Sequence, residues 1–555
     1  MLLTDLHLSD NPHTAAAHAL RWAVEQVNQQ QPDFLAIGGD VTTFGTAAST
    51  AQFLTAIERV EVPVLLTLGN AELRSPDAIH LLKDRLAPGW RYRVQNDLLV
   101  LLPNIPLGTL ATAEREWLNR IALQYAECKR RIVIAHVPLD RMETETRAWF
   151  SDWIRQQRIE LLVVGHIHEH RPRCLNGCLE IATRGLDPDK AIGDFPGISL
   201  FESSRQGQWS EHYYPWSPPI KLLPADLPNG IGPVGWSIHG DPVAAARETL
   251  EFGLSCLELR PRDFNFSHRA LADALRALRD TGPLFLSYQL PGLRWAQESR
   301  QIVGESALNR HLECALKFGV DSLTVPVPQV SASELESVGG DGVSVRPLYQ
   351  ALLQAHVRLL QEPARTAGVR IGIQNPHNAP KTPVNAPHRK FATKIDEYIR
   401  WIDAVAENMG DIPSAMVGGL LDVGGARNNG GELDNLQPLC DWYAQLGRRI
   451  LGYYIYQVDN DPETGALKNH IEITRFFGRR ISYAGLFWAW STHQITRGPL
   501  FVAVQDNTGR RNTVRRFKHL FENADQIHEA IDLPDRPAPT NTVERKDAKK
   551  RRRNE

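Results

Sequence analysis

Long apolar runs are missing from this chain of 555 residues. None approaches the about 18–20 residues that cross a bilayer. The start carries neither a basic segment nor an extended apolar one of the kind that directs secretion. Cysteine is scarce: Cys128, Cys174, Cys178, Cys256, Cys314 and Cys440 are dispersed through the chain. That excludes a disulfide scaffold and predicts a reducing, cytoplasmic setting. Cys174 and Cys178 stand close together in CLNGC, where LNG reads as a hairpin turn. A zinc knuckle would need a second pair, so the thiols read as structural. An excess of either charge is missing too, since 62 Lys and Arg face 64 Asp and Glu for a net charge of −2. The chain as a whole thus offers no field for nucleic acid or an anionic membrane. An apolar content of 42% and a charged content of 23% are those of a globular protein. The length exceeds what one core fills and predicts roughly two to four domains.

The first third of the chain is rich in potential metal ligands at the ends of strand-like runs. Asp5 and His7 follow LLT, Asp40 follows FLAIGG, Asn70 follows VLLTLG, His136 follows IVIA, and His166 and His168 follow LLVVG. Open α/β sheets bind ligands outside the carboxyl ends of their strands. Five such ends can therefore bring these groups together from distant parts of the sequence. Imidazole, carboxylate and carboxamide without thiolate suit hard or borderline divalent ions such as Mn, Fe, Zn or Ni.

The order TDLH, GGD, GNAE, IAHVP and GHIH resembles that of the calcineurin-like metallophosphoesterases over roughly residues 1–215. The resemblance implies an α/β sandwich holding two divalent ions. Asp5, His7 and His168 would hold one, Asn70, His136 and His166 the other, and Asp40 would bridge them, with Asp40, Asn70 and His136 at the catalytic centre. Two such ions can clamp a phosphate and generate a hydroxide for in-line attack. The chain departs from the family pattern at Ala71, where the family has a histidine after the asparagine; Glu72 is retained. Losing that charge stabiliser or acid costs roughly 10²–10⁴-fold unless another group, such as His13, supports the reaction. Only Met1 to Thr4 precede Asp5. That predicts a short first strand, or a start downstream of the natural one.

Pro and Gly crowd the segment 216–233, which reads as a linker. From 234 to about 535 the chain repeats strand–helix units. Candidate strands are 234–239, 255–261, 283–290, 321–328, 369–375, 414–424, 450–459 and 499–506, with amphipathic runs between them. Eight such units predict a (β/α)8 TIM barrel, with a doubly wound sheet as the alternative. Tyr483, Phe487 and Trp490 fall at helical spacing and read as core. The tail 536–555 ends in a basic run and reads as disordered.

In layout the barrel resembles the xylose isomerase-like superfamily, through LELRP, GVRIGIQN, LLDVGG, YQVDN and GPLFVAVQDN. The superfamily's acidic and histidine metal ligands are depleted here. Gln374 and Gln505 stand for glutamates, and Tyr456 for a histidine. A Gln keeps the shape of Glu but not the charge that holds a hard cation, which argues against metal-dependent isomerase chemistry. Glu258, Gln374, Asp422, Tyr456 and Gln505 remain as candidates to bind a sugar, cyclitol or other polyol. The reading is a binuclear phosphoesterase acting on a small phosphomonoester or phosphodiester, joined to a polyol-binding barrel. Two alternatives stay open: a metal-dependent nuclease with an endonuclease IV-like barrel, and a catalytically weak sensor or scaffold.

Overall fold

The computed structural model describes residues 1–84, 91–175, 177–193, 195–204, 208–216, 234–335, 347–377, 386–428, 438–460, 467–492, 494–495 and 498–522. The expected linker from 217 onward and the basic tail lie outside the described residues.

The N-terminal part is built on two sheets. One has the order β11-β10-β1-β2-β3, from strands Trp209–Pro215, Gly197–Ser203, Leu2–Leu3, Leu35–Ile37 and Val64–Leu66. The other has the order β4-β5-β6-β7-β9-β8, from Tyr92–Gln95, Leu98–Leu101, Arg130–Ala135, Leu161–Val164, Cys178–Ala182 and Arg171–Leu175. Leu2, Ala36 and Leu65 of the first sheet meet Ile132, Ile134, Leu161 and Val163 of the second in one buried cluster. Helices cover the outer faces. Helix Ala15–Gln30 is capped by Thr14, whose hydroxyl accepts the Ala17 N–H at 3.2 Å. Its buried stripe Ala16, Leu20, Ala23, Val24 and Val27 packs on the first sheet. The result is an α/β sandwich in which β1, β2 and β3 run parallel, as do β5, β6, β7 and β9. The pieces after GHIH form antiparallel pairs, β8 with β9 and β10 with β11. The first strand spans two residues, Leu2–Leu3.

The C-terminal part is a closed barrel of eight parallel strands, a TIM barrel. In order these are Val234–Gly240, Cys256–Pro261, Phe285–Gln289, Ser322–Pro326, Arg370–Gln374, Val417–Asp422, Ile450–Ile455 and Leu500–Val502. The seventh and eighth strands stop earlier than the sequence pattern predicts. After Ile455 the Tyr456 N–H turns to the Tyr483 hydroxyl at 3.0 Å instead of a neighbouring strand. The chain then enters a separate hairpin, Gln457–Asn460 with Leu467–Ile471. Tyr483, Phe487 and Trp490 are buried around helix Ala484–Ser491, as their spacing predicts. No helix among the described residues is long and apolar enough to cross a membrane.

The two parts meet at the carboxyl ends of barrel strands six and seven. Trp488 packs against the core under helix Ala15–Gln30 and donates its indole N–H to the His13 carbonyl at 2.9 Å. The Gly193 N–H reaches the Gly478 carbonyl at 2.8 Å. The Phe195 and Phe477 rings pack at a tilt, their centroids 5.4 Å apart.

Candidate metal centre

The seven predicted ligands converge where β1, β2, β3, β6 and β7 end. The His7 and His168 Nε2 atoms lie 3.1 Å apart. His136 Nε2 and His166 Nδ1 are each 3.1 Å from Asn70 Oδ1 and 3.3 Å from each other. Two nitrogens at about 2.1 Å from a shared ion would stand about 3.0–3.4 Å apart, so the spacing fits ligands of a common ion. Asp5, His7 and His168 form one compact candidate group, and Asp5, Asp40 and His136 a second. Among the described residues, both such groups lie in the N-terminal domain. Asp40 faces both sides: Oδ2 is 3.7 Å from His7 Nε2, and Oδ1 is 3.4 Å from His136 Nε2.

The backbone carries the cost of this convergence. Asp5, His7, Asp40, His166 and His168 all have φ between 46° and 69°, the left-handed region that non-glycine residues seldom occupy. Such strain persists where the surroundings over-determine it, and it clusters at functional sites. The glycines of the motifs make the close approach possible. A Cβ at Gly165 would meet the Thr4 hydroxyl at 2.3 Å and Asp5 Oδ2 at 2.4 Å, and one at Gly69 would meet Asp40 Oδ1 at 2.2 Å. Glu72 ties two loops together by accepting the N–H groups of Asp40 (2.9 Å), Gly69 (2.9 Å) and Thr42 (3.1 Å). Burial, reinforced by the Asp40 charge, pushes its carboxyl up to about 7.

The electrostatics call for cations. Burial opposes charge on His136, yet Asp40, Asp5 and Glu72 outweigh it and push the imidazole up to about 10. Its Nδ1 faces the Gly38 carbonyl at 3.0 Å. That contact fixes the ring so that Nε2 points into the site, the outer-shell arrangement of metal-binding histidines. His7 is held well below its ordinary value, first by burial and then by the charge of Lys190, which keeps it neutral and able to ligate. A donor set of imidazole, carboxylate and carboxamide, with an excess of negative charge at its centre, fits divalent cations. Asp5, His7, Asp40 and His136 are deeply buried, while His166 is only half-buried and marks the open side. The Ala71 side chain is fully buried and offers no polar group, while its N–H donates to Asp40 Oδ1 at 2.8 Å. His13 is exposed at the domain junction, where its carbonyl is held by Trp488 and Gln494.

At the barrel mouth the structure brings together Gln374, Asp422 and Tyr456 with His377. Asp422 Oδ2 lies 2.7 Å from His377 Nε2, and Asp422 Oδ1 accepts the Tyr456 hydroxyl at 2.7 Å and the Gly425 N–H at 2.8 Å. The Gln374 amide reaches the same carboxylate at 3.3 Å. Glu258 lies deeper, with no exposed surface. It accepts hydrogen bonds from Ser237 (2.6 Å) and Thr324 (2.6 Å) and from Tyr454 inside the barrel. Gln505 is an exposed rim residue whose N–H meets the His470 carbonyl at 3.0 Å. Sequence reasoning missed His470. Its ring lies 4.0 Å from that of Tyr456, its Nδ1 faces the Ala503 carbonyl at 2.7 Å, and its φ is 60°.

Residues 1–170 match the calcineurin-like phosphoesterase family. No curated protein matches the chain. Among solved structures, a xylose isomerase-like TIM barrel protein from Mycobacterium smegmatis in complex with magnesium is 17% identical, with a TM-score of 0.32 over 51% of this chain and 88% of that one. A xylose isomerase domain protein from Planctomyces limnophilus is 12% identical, with a TM-score of 0.35 over 54% and 99%. A purple acid phosphatase from yellow lupin seeds is 13% identical, with a TM-score of 0.28 over 33% and 43%. Likenesses this distant carry no argument. The phosphoesterase assignment rests on the family match, and the barrel on its strand order. The match and the ligand groups together support metal-dependent hydrolase chemistry in the N-terminal domain.

Proposed function

We propose that the metallophosphoesterase domain hydrolyses a small phosphomonoester or phosphodiester on two divalent ions. Asp5, His7 and His168 would hold one, Asn70, His136 and His166 the other, with Asp40 between them. The observation that carries this reading is Asp40 itself, whose two oxygens turn to imidazoles of opposite clusters. When bound, such a pair supplies Lewis acidity and a hydroxide at neutral pH. The chain's own groups orient the site. Glu72 fixes the loops that carry Asp40 and Asn70, the Thr4 hydroxyl and the His166 N–H hold the Asp5 carboxylate (2.9 and 3.0 Å), and the Gly38 carbonyl aims His136. In the same proposal the barrel mouth binds a sugar, cyclitol or related polyol through Gln374, which the buried pair Asp422 and Tyr456 holds in place, with Gln505 at the rim. The catalytically weak sensor remains the second reading, because Ala71 leaves its position without a polar group.

The test is turnover of p-nitrophenyl phosphate and bis-p-nitrophenyl phosphate by protein purified without chelator and supplied with Mn²⁺. Turnover that is lost in Asp40→Ala supports the phosphoesterase. Two ions bound without turnover of either ester favours the sensor.

A further inference from the structure

The loop 183–193 lies between the metal centre and the barrel and is tied to both. On the metal side, the Asp187 N–H meets the Asp5 carbonyl at 3.0 Å, and the Ile192 N–H meets the His168 carbonyl at 2.7 Å. Lys190 stands between these two anchors, each of which is a backbone group of a candidate metal ligand. On the barrel side, Asp189 Oδ1 accepts the Gly485 N–H at 3.2 Å. A Cβ at Gly485 would come within 2.7 Å of that oxygen, so the contact depends on the glycine. The Gly193 N–H closes on Gly478, and the charge of buried Arg427 lies beside Asp187 and Asp189.

Lys190 is half-buried, and among the described residues its ammonium has no carboxylate within ion-pairing distance. The nearby Asp187 turns one oxygen to the Asp189 N–H at 2.9 Å. Burial pulls the Lys190 pKa down, with Asp187 and Asp40 opposing it. The Lys190 charge is felt at both His7 and Asp40. A partly desolvated cation without a direct ion pair, supported only at longer range by Asp187 and Asp40, would gain from an anion placed beside it.

We propose that Lys190 is a substrate-binding residue of the metallophosphoesterase site, held in place by the barrel, where it engages a non-bridging phosphoryl oxygen and selects dianionic phosphomonoesters. The proposal rests on the phosphoesterase reading for its substrate. It adds the cation that Ala71 does not provide and the class of ester preferred. A monoester dianion carries one more negative charge than a diester, so a fixed cation favours it. It also gives the barrel a part in the reaction, because Gly485 and Gly478 position the loop that carries Lys190.

Binding of inorganic phosphate to the Mn²⁺-loaded full chain, measured by calorimetry, tests this in the wild type, Lys190→Gln and Lys190→Arg, with metal content determined on each sample. The expected result is a loss of about 10- to 100-fold in phosphate affinity for Lys190→Gln with metals retained, and recovery to within about threefold for Lys190→Arg. In turnover, Lys190→Gln should lower kcat/KM for the monoester about 10-fold or more and for the diester less than about threefold. Unchanged phosphate affinity in metal-replete Lys190→Gln overturns the proposal, as does equal loss in both variants. Phosphate binding that depends on Lys190 in a protein that turns over no ester supports the anion site and overturns the phosphoesterase reading. Should the variants lose their metal, acetylation of Lys190 in the wild type, followed by mass spectrometry, decides the matter. Protection by phosphate supports the proposal, and equal labelling with and without phosphate overturns it.

Discussion

The metal centre and the barrel mouth both gather polar side chains at the carboxyl ends of parallel strands, yet they resolve charge in opposite ways. At the metal centre, Asp5 and Asp40 stand among imidazoles spaced about as ligands of one ion would be, on a backbone strained at five of the seven ligand positions. At the barrel mouth, one carboxylate, Asp422, is fully answered by His377, Tyr456, Gln374 and the Gly425 N–H. The first arrangement has a deficit of positive charge that only a cation or proton can fill. The second is closed on itself and leaves the half-buried Gln374 and His377 as its outward chemistry. A shared location on the fold therefore says little about chemistry; the balance of charge within the cluster says more.

The sharpest way to break this comparison is to remove the central carboxylate of each site. Asp40→Ala should lower phosphoester turnover by roughly 10³-fold and reduce bound metal, while the thermal transition of the barrel stays in place. Retained turnover would show that the reaction does not use this centre.

A second contrast concerns buried histidines. His136 is pushed up by three carboxylates, whereas His356, buried in the barrel without a hydrogen-bond partner at either ring nitrogen, is pushed down to about 4 by burial alone. A depressed histidine keeps its neutral form in the fold but charges in the unfolded chain. Stability is therefore full above about pH 6.5 and falls as the pH drops toward 4, by on the order of 3 kcal/mol. Denaturation of His356→Leu across that window should show the fall removed. An unchanged slope would mean that His356 is already paired or hydrated in solution.

Asp422→Asn should cost the barrel roughly 1–3 kcal/mol and leave phosphoester turnover within about threefold. It should also flatten one pH dependence. His377 is raised by Asp422 against its own burial, so its contribution is present below about pH 6.5 and is lost as the pH rises through its folded value. Asp422 is depressed by His377 against burial, so its contribution is present above about pH 4 and lost as the pH falls. Chemical denaturation followed from below about pH 4 to above about pH 6.5 reads both losses. Equal stability of the variant and the wild type there would show the pair to be unformed. The smallest effect is expected from Tyr456→Phe. It removes one hydrogen bond to Asp422 and should weaken polyol binding by only about fivefold, as measured by calorimetry with a cyclitol. No binding in the wild type would remove the polyol from the account.

The convergence of the seven candidate ligands was legible in the sequence because each lies shortly after a strand, and strand ends converge whatever lies between them. Glu258 was harder to place. Periodicity tells which side of a strand faces the barrel interior, but not how deep a residue lies. Glu258 shares a register layer with Ser237 and Ser287 and is sealed by hydroxyls beneath the mouth. His470 and Lys190 gave no signal at all. Each owes its position to tertiary contacts, His470 to Tyr456 and Ala503, and Lys190 to a loop pinned by Asp5, His168 and Gly485. The seventh strand was read too long because nothing local reveals that Tyr456 gives its N–H to Tyr483.

The central claim is that this chain holds a pair of ions at one centre, on the metallophosphoesterase domain. Anomalous diffraction at the manganese edge, from crystals of the full chain loaded with Mn²⁺, tests it most directly. The account predicts two peaks flanking Asp40, one toward His7 and His168 and the other toward His136 and His166, with none at Asp422. A single peak, or a peak at the barrel mouth beside Asp422 and His377, would contradict it.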